Sequence, residues 1–351
     1  MSRAPRNPVD SSLGFFRVWV AHLGRRFGLL QELARTTPGC TTDVLARRSG
    51  CDAATVRMWC EAAYALGWLD RRTGRYFLRP RLHRVLASPS DAEYFGGQFS
   101  YLALRSLDYD GYDALFRMGK PPQGTPKHLV PAALEATRWD HTAFLELALP
   151  RLPRVAGILA DGARVLDVGA GGGQWDVRVA VRYPRSSFVG IDPSPEALRV
   201  ASGAVRAARL GRRVRFVRGT GEMMTFRHEF DLAYLGEALS SVPSPGRVLR
   251  RCAAALRPGG HVVIAEGLLD PASDPRSGAN PLLYAIQLDF ALLGTKLFSP
   301  RDLRSLLRDA GFRRPSFVHV GGGLWFIDAA KPSEGAQPLS SRAGTRRAGR
   351  T

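Results

Sequence analysis

The chain has 351 residues, 45% of them hydrophobic and 23% charged, which is enough for two domains with cores of their own and excludes a disorder-dominated protein. A formal net charge of +19 raises nucleic acid or an anionic surface as partners, yet only four of the 50 basic residues are lysine and the arginines stand in ones and twos rather than on one face. No apolar run reaches the roughly 18 residues of a membrane span, the start Met1-Ser-Arg-Ala-Pro-Arg6 has no apolar signal core, and Cys40, Cys51, Cys60 and Cys252 show neither CxxC nor His/Cys ligand spacing, so the expectation is a cytoplasmic protein without membrane partner, disulfide or metal.

Residues 1–12 read as a flexible N-terminus. From 13 to 36 a helical stretch carries Phe15, Phe16, Val18, Trp19, Val20, Leu23 and Phe27, too many apolar residues for a single stripe. A helix apolar on most sides needs partners on most sides, which predicts a homodimer joined through residues 13–115. Thr42–Arg48, a turn at Gly50, and a helix opened by Asp52 as N-cap read as helix, turn and helix. A hairpin over 67–78, turning near Thr73-Gly74, completes a winged helix. Such a unit can enter the major groove of DNA, but its second helix offers Ala53, Ala54, Thr55 and a single Arg57 where base-reading side chains would stand, so specific nucleic-acid binding is not expected. Residues 116–150 read as a helical linker and pocket wall, rich in aromatics and broken at Gly119–Lys127.

Residues 151–330 have a different pattern. Val165-Leu-Asp-Val-Gly-Ala-Gly-Gly-Gly-Gln-Trp175 predicts a buried strand, a tight loop and a helix start, with Gly169, Gly171 and Gly173 free to take positive φ and to let a ligand lie against the backbone. Asp167 precedes the loop, and Gln174 stands where a dinucleotide fingerprint would need glycine, which argues against NAD. A second strand ends in Asp192, placed to accept from both hydroxyls of a ribose. A third, Val214–Val217, leads to Gly219-Thr-Gly-Glu222. The fourth, Phe230–Leu235, ends in Gly236-Glu237, and the fifth is His261–Glu266. The segment 280–293 predicts a second pocket wall, 299–311 a helix capped by Ser299, and 318–320 with 324–327 two closing strands. Residues 331–351, a Pro/Gly/Ser setting with excess arginine, read as a disordered basic tail.

The ordered series VLDVGAGGG, FVGID, RGTGE, FDLAYLGE and LRPGG resembles the class I S-adenosylmethionine-dependent methyltransferases, over roughly residues 150 to 330, about half of the chain. That resemblance implies an α/β fold: a seven-stranded, mostly parallel, doubly wound sheet preceded here by a mainly helical winged-helix domain, as in bacterial small-molecule O-methyltransferases. It implies S-adenosyl-L-methionine as cofactor. The loop of Gly169, Gly171 and Gly173 would hold its methionine end, Asp192 the ribose, and Gly221 with Glu222 the adenine edge, with Asp167 and Leu235 as further cofactor-binding residues. Related winged-helix methyltransferases often carry Leu-His-Asp shortly after strand four, whereas this chain has Leu239-Ser-Ser241.

With no histidine there, Glu237 is the best-placed titratable group to assist a methyl acceptor, and His141 is the alternative. The leading function is methyl transfer to a small molecule, at a hydroxyl oxygen. An RNA or protein methyltransferase is weakened by the scattered arginines and by the absence of an Asn/Asp-Pro-Pro-Tyr motif after strand four. A cofactor-sensing winged-helix regulator of transcription is the third reading.

Overall fold

A computed structural model of the chain describes residues 8–36, 39–89, 91, 93–122 and 126–333. The expected basic tail lies outside these residues from 334 onward, and the expected flexible start lies outside them up to residue 7. The first helix, α1, spans Pro8–Arg26, so residues 8–12 are helical rather than loose, with Asp10 in the first turn where the helix dipole favours a carboxylate. The single stretch expected over 13–36 is two helices, because Gly28 takes φ +70 and ends the first before α2 (Leu29–Arg35) begins.

Helix α3 (Thr42–Ser49) is capped by Thr41, whose hydroxyl accepts from Val44 N, and closes on Gly50 at φ +67. Asp52 caps α4 (Ala53–Ala65), its carboxylate accepting from Thr55 N at 2.8 Å. Strands β1 (Leu69–Arg72) and β2 (Arg75–Leu78) pair antiparallel, with Arg72 opposite Arg75. Both turn residues have positive φ, Thr73 at 45° and Gly74 at 74°, the two-residue turn that matches strand twist. Trp59 on α4 is buried against α1 and donates from its indole N–H to Val20 O at 2.9 Å. The helix Gly96–Arg105 then crosses Leu129–Ala136 so closely that a Cβ on Gly97 would stand 2.1 Å from Glu135 O.

The second half is one seven-stranded sheet. It comprises β3 (Arg164–Val168), β4 (Ser187–Asp192), β5 (Val214–Arg218), β6 (Phe230–Gly236), β7 (Leu256–Gly267), β8 (Arg313–Gly321) and β9 (Leu324–Ala330). Their spatial order is β5-β4-β3-β6-β7-β9-β8, all parallel except β9. Strand β7 begins earlier than the expected 261–266, because Leu256 already pairs with Phe230 of β6; the register then breaks at a bulge where Gly259 takes φ +78, and resumes at His261 opposite Leu232. Alternate residues feed two cores: Leu166, Val168, Leu235 and Ile264 on one face, and Val165, Tyr234, Val263 and Phe326 on the other. Chain order runs outward from β3 to β4 and β5, then returns to β6 on the other side. The carboxyl ends of β3 and β6 therefore flank the switch point where open α/β sheets bind ligands.

Candidate active site

The loop after β3 does what its glycines allow. Gly169, Gly171 and Gly173 sit at φ +81, +52 and +68, and the helix Gln174–Arg182 starts directly behind them. Gly169 N and Ala170 N both donate to Ile191 O, at 2.8 and 3.1 Å, which ties the loop to the end of β4. Gly171 N donates to Asp192 Oδ2 at 2.9 Å and Ser194 N to Oδ1 at 2.8 Å. Each carboxylate oxygen of Asp192 thus has one backbone donor and a lone pair to spare.

Over the loop lies a cavity of about 130 Å³, walled by Leu134, Asp140, His141, Asp167, Gly171 and Tyr234 among others. Its roof is the helix Leu129–Ala136 and its side the helix Arg138–Ala143. Leu134 closes over the loop, one of its methyl carbons 3.2 Å from where a Cβ on Gly171 would be. Tyr234 stacks on Trp175 with ring centres 3.8 Å apart and planes 3° apart. Four polar atoms of the lining are buried without a hydrogen-bond partner: Asp140 Oδ2, His141 Nδ1, Trp175 Nε1 and Tyr234 OH. Groups left so are expensive unless a ligand or water meets them.

The electrostatics are those of crowded carboxyls. Asp167 is held well above the usual carboxylate range by burial and then by the charge of Asp176, and burial pushes Asp176 up to about 7. A second set stands where β6 and β7 end. Glu237, a non-glycine residue at φ +49, is anchored by its N–H donating to Ala265 O at 2.8 Å, and burial raises its carboxyl while a hydrogen bond with Asp140 lowers it. Asp140 is raised well above its ordinary value by burial, then by the charges of Glu237 and Glu266. The two carboxyls are joined by a hydrogen bond and both are raised by burial, so they hold and release protons as a pair. Glu266 accepts from Ser240 N at 3.0 Å and is pushed up to about 8 by burial and then by Glu237. Beyond them Arg105, 1% exposed, pairs with Asp289 at 3.0 Å and Asp108 at 3.2 Å, while Tyr101 OH donates to Asp289 at 3.3 Å. These contacts fasten the helix Asn280–Ala291 to the N-terminal half.

The structure brings Asp167, Gly169, Gly171, Gly173, Asp192, Glu237 and His141 to one end of the sheet. Gly221 is nearby for a packing reason: a Cβ there would come within 2.9 Å of Val168 and 3.0 Å of Val248. Glu222 has a buried, unpartnered Oε1. Leu235, expected at the cofactor, is fully buried in the core on the sheet face opposite Tyr234 and lines no cavity described here, because side chains alternate along a strand. His141 is buried rather than exposed in a linker, and burial with the neighbouring Arg178 and Arg138 pulls it down to about 3, which makes it a weak base. Asp140, Asp176 and Glu266 were missed from sequence. A signal existed for the last: β3, β4, β6 and β7 all end at or beside an acid, namely Asp167, Asp192, Glu237 and Glu266.

Comparison with known proteins bears on the same region. The model of the "Methyltransferase domain" family matches residues 139–314, half of the chain, from Asp140 through both acid clusters. The chain belongs to this methyltransferase family. It is 32% identical over 160 residues to the ubiquinone biosynthesis O-methyltransferase of Ralstonia nicotianae, covering 43% of this chain and 63% of that protein. It is 32% identical over 137 residues to the 27-O-demethylrifamycin SV methyltransferase of Amycolatopsis mediterranei, covering 38% of this chain and 50% of that one. The matches thus span less than two thirds of these relatives. In fold the likeness is wider: human N-acetylserotonin methyltransferase, solved in complex with SAM, superposes with a TM-score of 0.73 over 95% of this chain and 100% of that one, at 19% identity. The methyltransferase domain therefore sits behind a helical N-terminal half of shared architecture.

Proposed function

We propose that the protein transfers the methyl group of S-adenosyl-L-methionine to a hydroxyl oxygen of a small-molecule acceptor. The observation that carries this is the union of the three positive-φ glycines with Asp192 through the Gly171 N–H, at the switch point of the sheet. The residues fit the cofactor: open backbone at Gly169 and Gly171, spare lone pairs on Asp192 for ribose hydroxyls, and an orphaned Glu222 Oε1 for a further donor. When bound, the cofactor supplies an electrophilic methyl carbon on a sulfonium. The cavity of about 130 Å³ takes in the glycine loop but not Asp192, Gly221 or Glu222, so in this reading it receives the methionine end, with the ribose and adenine positions beyond it.

The chain's own part is to hold acceptor oxygen and methyl carbon in line and to exclude water, which the closed roof and the buried Tyr234 and Trp175 support. Glu237, hydrogen-bonded to Asp140, takes the hydroxyl proton onto its carboxylate. This replaces a histidine at Ser240, whose N–H is engaged by Glu266. The N-terminal half serves as a winged-helix dimerisation unit. Phe15 and Phe16, 52% and 57% exposed on α1, support a second copy there, and light scattering on the full chain tests it, a monomer being the contrary result. No helix among the described residues is long and apolar enough to cross a membrane, and the four unpaired cysteines support work in the cytoplasm.

Incubation with methyl-labelled S-adenosylmethionine and a panel of phenols and hydroxylated small molecules tests the activity. Label in a low-molecular-weight ether is the expected result. Label confined to RNA or protein would transfer the assignment to a polymer substrate, and no label with a salt-resistant footprint on one DNA sequence would favour a regulator.

A further inference from the structure

A second cavity, of about 380 Å³, adjoins the first on the outer side of the helix Gln174–Arg182. It is lined by Pro89, Arg138, His141, Gln174, Val177 and Arg178, and shares His141 and Gln174 with the cavity over the glycine loop. Its charge is one-sided. Arg178, half-buried, donates from Nη1 to Thr142 Oγ1 at 2.7 Å and Arg138 O at 3.4 Å, both neutral acceptors. Among the described residues no carboxylate pairs with it. Arg138 pairs with Glu135 at 2.7 Å, but Glu135 also carries Arg25 at 2.9 Å and accepts from Tyr94 OH at 3.0 Å, so one carboxylate serves two guanidiniums, while the third, Arg178, is in no direct ion pair and meets an acid only through space, in the charge of Glu146. Between the arginines, His141, 9% exposed, has its Nδ1 buried without a partner. The imidazole is kept neutral by burial and then by the charges of Arg178 and Arg138, which registers the positive field of the wall.

A half-buried guanidinium in no direct ion pair gains from an anion more than an exposed one does, because its own hydration is already reduced, and its planar fork suits carboxylate and phosphate oxygens. We propose that this cavity is a binding site for an anionic group, a carboxylate or a phosphate, held by Arg178 and Arg138 with a hydrogen bond from His141. The group can belong to the ligand lodged over the glycine loop, reaching past His141 and Gln174, or arrive as a separate anion. The site stands apart from the cofactor reading, because inorganic phosphate alone probes it.

Calorimetric titrations of the full chain and of Arg178→Gln use three probes: inorganic phosphate, S-adenosylhomocysteine, and methylthioadenosine, which lacks the amino-acid end. Saturable phosphate binding that weakens at least tenfold in the variant, with nucleoside affinities unchanged, supports the site as one for a separate anion. A tenfold loss for S-adenosylhomocysteine, with none for methylthioadenosine, supports it as the seat of the ligand's own carboxylate. Failure of S-adenosylhomocysteine to bind the wild type would sink the cofactor reading and leave the phosphate arm in force. Should the variant not fold, the wild type decides: phosphate binding that saturates in excess chloride supports the site. Phosphate no stronger than chloride together with an S-adenosylhomocysteine affinity unchanged in the folded variant, or wild-type affinities of a folded variant for all three probes, overturns it.

Discussion

Glu266→Gln keeps an oxygen to accept the Ser240 N–H and removes one ionisable proton from the end of β7. In the unfolded chain the carboxyl titrates near 4.5, whereas in the fold burial and then the Glu237 charge hold it up to about 8. A raised carboxyl contributes stability that is complete below pH 4.5 and is lost as pH climbs towards 8, since only the unfolded state can shed the proton cheaply. At 1.36 kcal/mol per unit the gap corresponds to an upper limit of about 5 kcal/mol, and sharing of the proton balance with Glu237 brings the expectation to about 2–4 kcal/mol. His141 acts in the opposite sense: its depressed value, about 3 against 6.5, gives a contribution present above pH 6.5 and lost as pH falls. Urea unfolding between pH 6.5 and pH 8.5 leaves His141 out of the comparison, and because Asp176, held up to about 7, also titrates there, the difference between wild type and variant is what reports Glu266. The wild type should lose stability across that window, and Glu266→Gln should lose less, gaining on the wild type at the alkaline end. Parallel profiles would refute the reasoning, for they would mean that Glu266 ionises in the fold as it does in water.

Gly173→Ala puts a Cβ at φ +68, 2.5 Å from the Phe216 ring and 2.9 Å from Ala201, so strain and overpacking together should cost about 2–4 kcal/mol and lower Tm by roughly 5–12 °C, read by calorimetry, with weaker S-adenosylhomocysteine binding. Glu237→Gln should reduce turnover by about 10²–10⁴ with cofactor affinity nearly intact if the carboxylate takes the acceptor's proton. If it only orients the acceptor, glutamine should keep most of the rate and alanine should not.

The fold was legible because local signals agreed. Five parallel strands each ended at a turn or an acid, Asp52 and Ser299 capped the helices they preceded, and Thr73-Gly74 made the expected hairpin turn. The glycine loop was legible for the same reason: positive φ at Gly169, Gly171 and Gly173 is a property of residue type at fixed spacing. What sequence could not carry was contact between distant segments. Asp140 lies nearly a hundred residues from Glu237, and nothing in either stretch announces the hydrogen bond that makes them a pair. Leu235 misled because it adjoins Gly236 in sequence while the strand turns its side chain to the other face. His141 looked like a linker histidine until the helices around it closed.

The central claim is that Asp192, tied to the glycine loop through Gly171 N, holds the ribose of S-adenosylmethionine. Calorimetric titration of Asp192→Ala with S-adenosylhomocysteine tests it most directly, with circular dichroism as the check on folding and Asp192→Asn as the variant that keeps an acceptor for Gly171 N. Loss of two charge-assisted hydrogen bonds at about 1.5–3 kcal/mol each predicts an affinity lower by a hundredfold or more in the folded alanine variant. An affinity equal to that of the wild type would contradict the account.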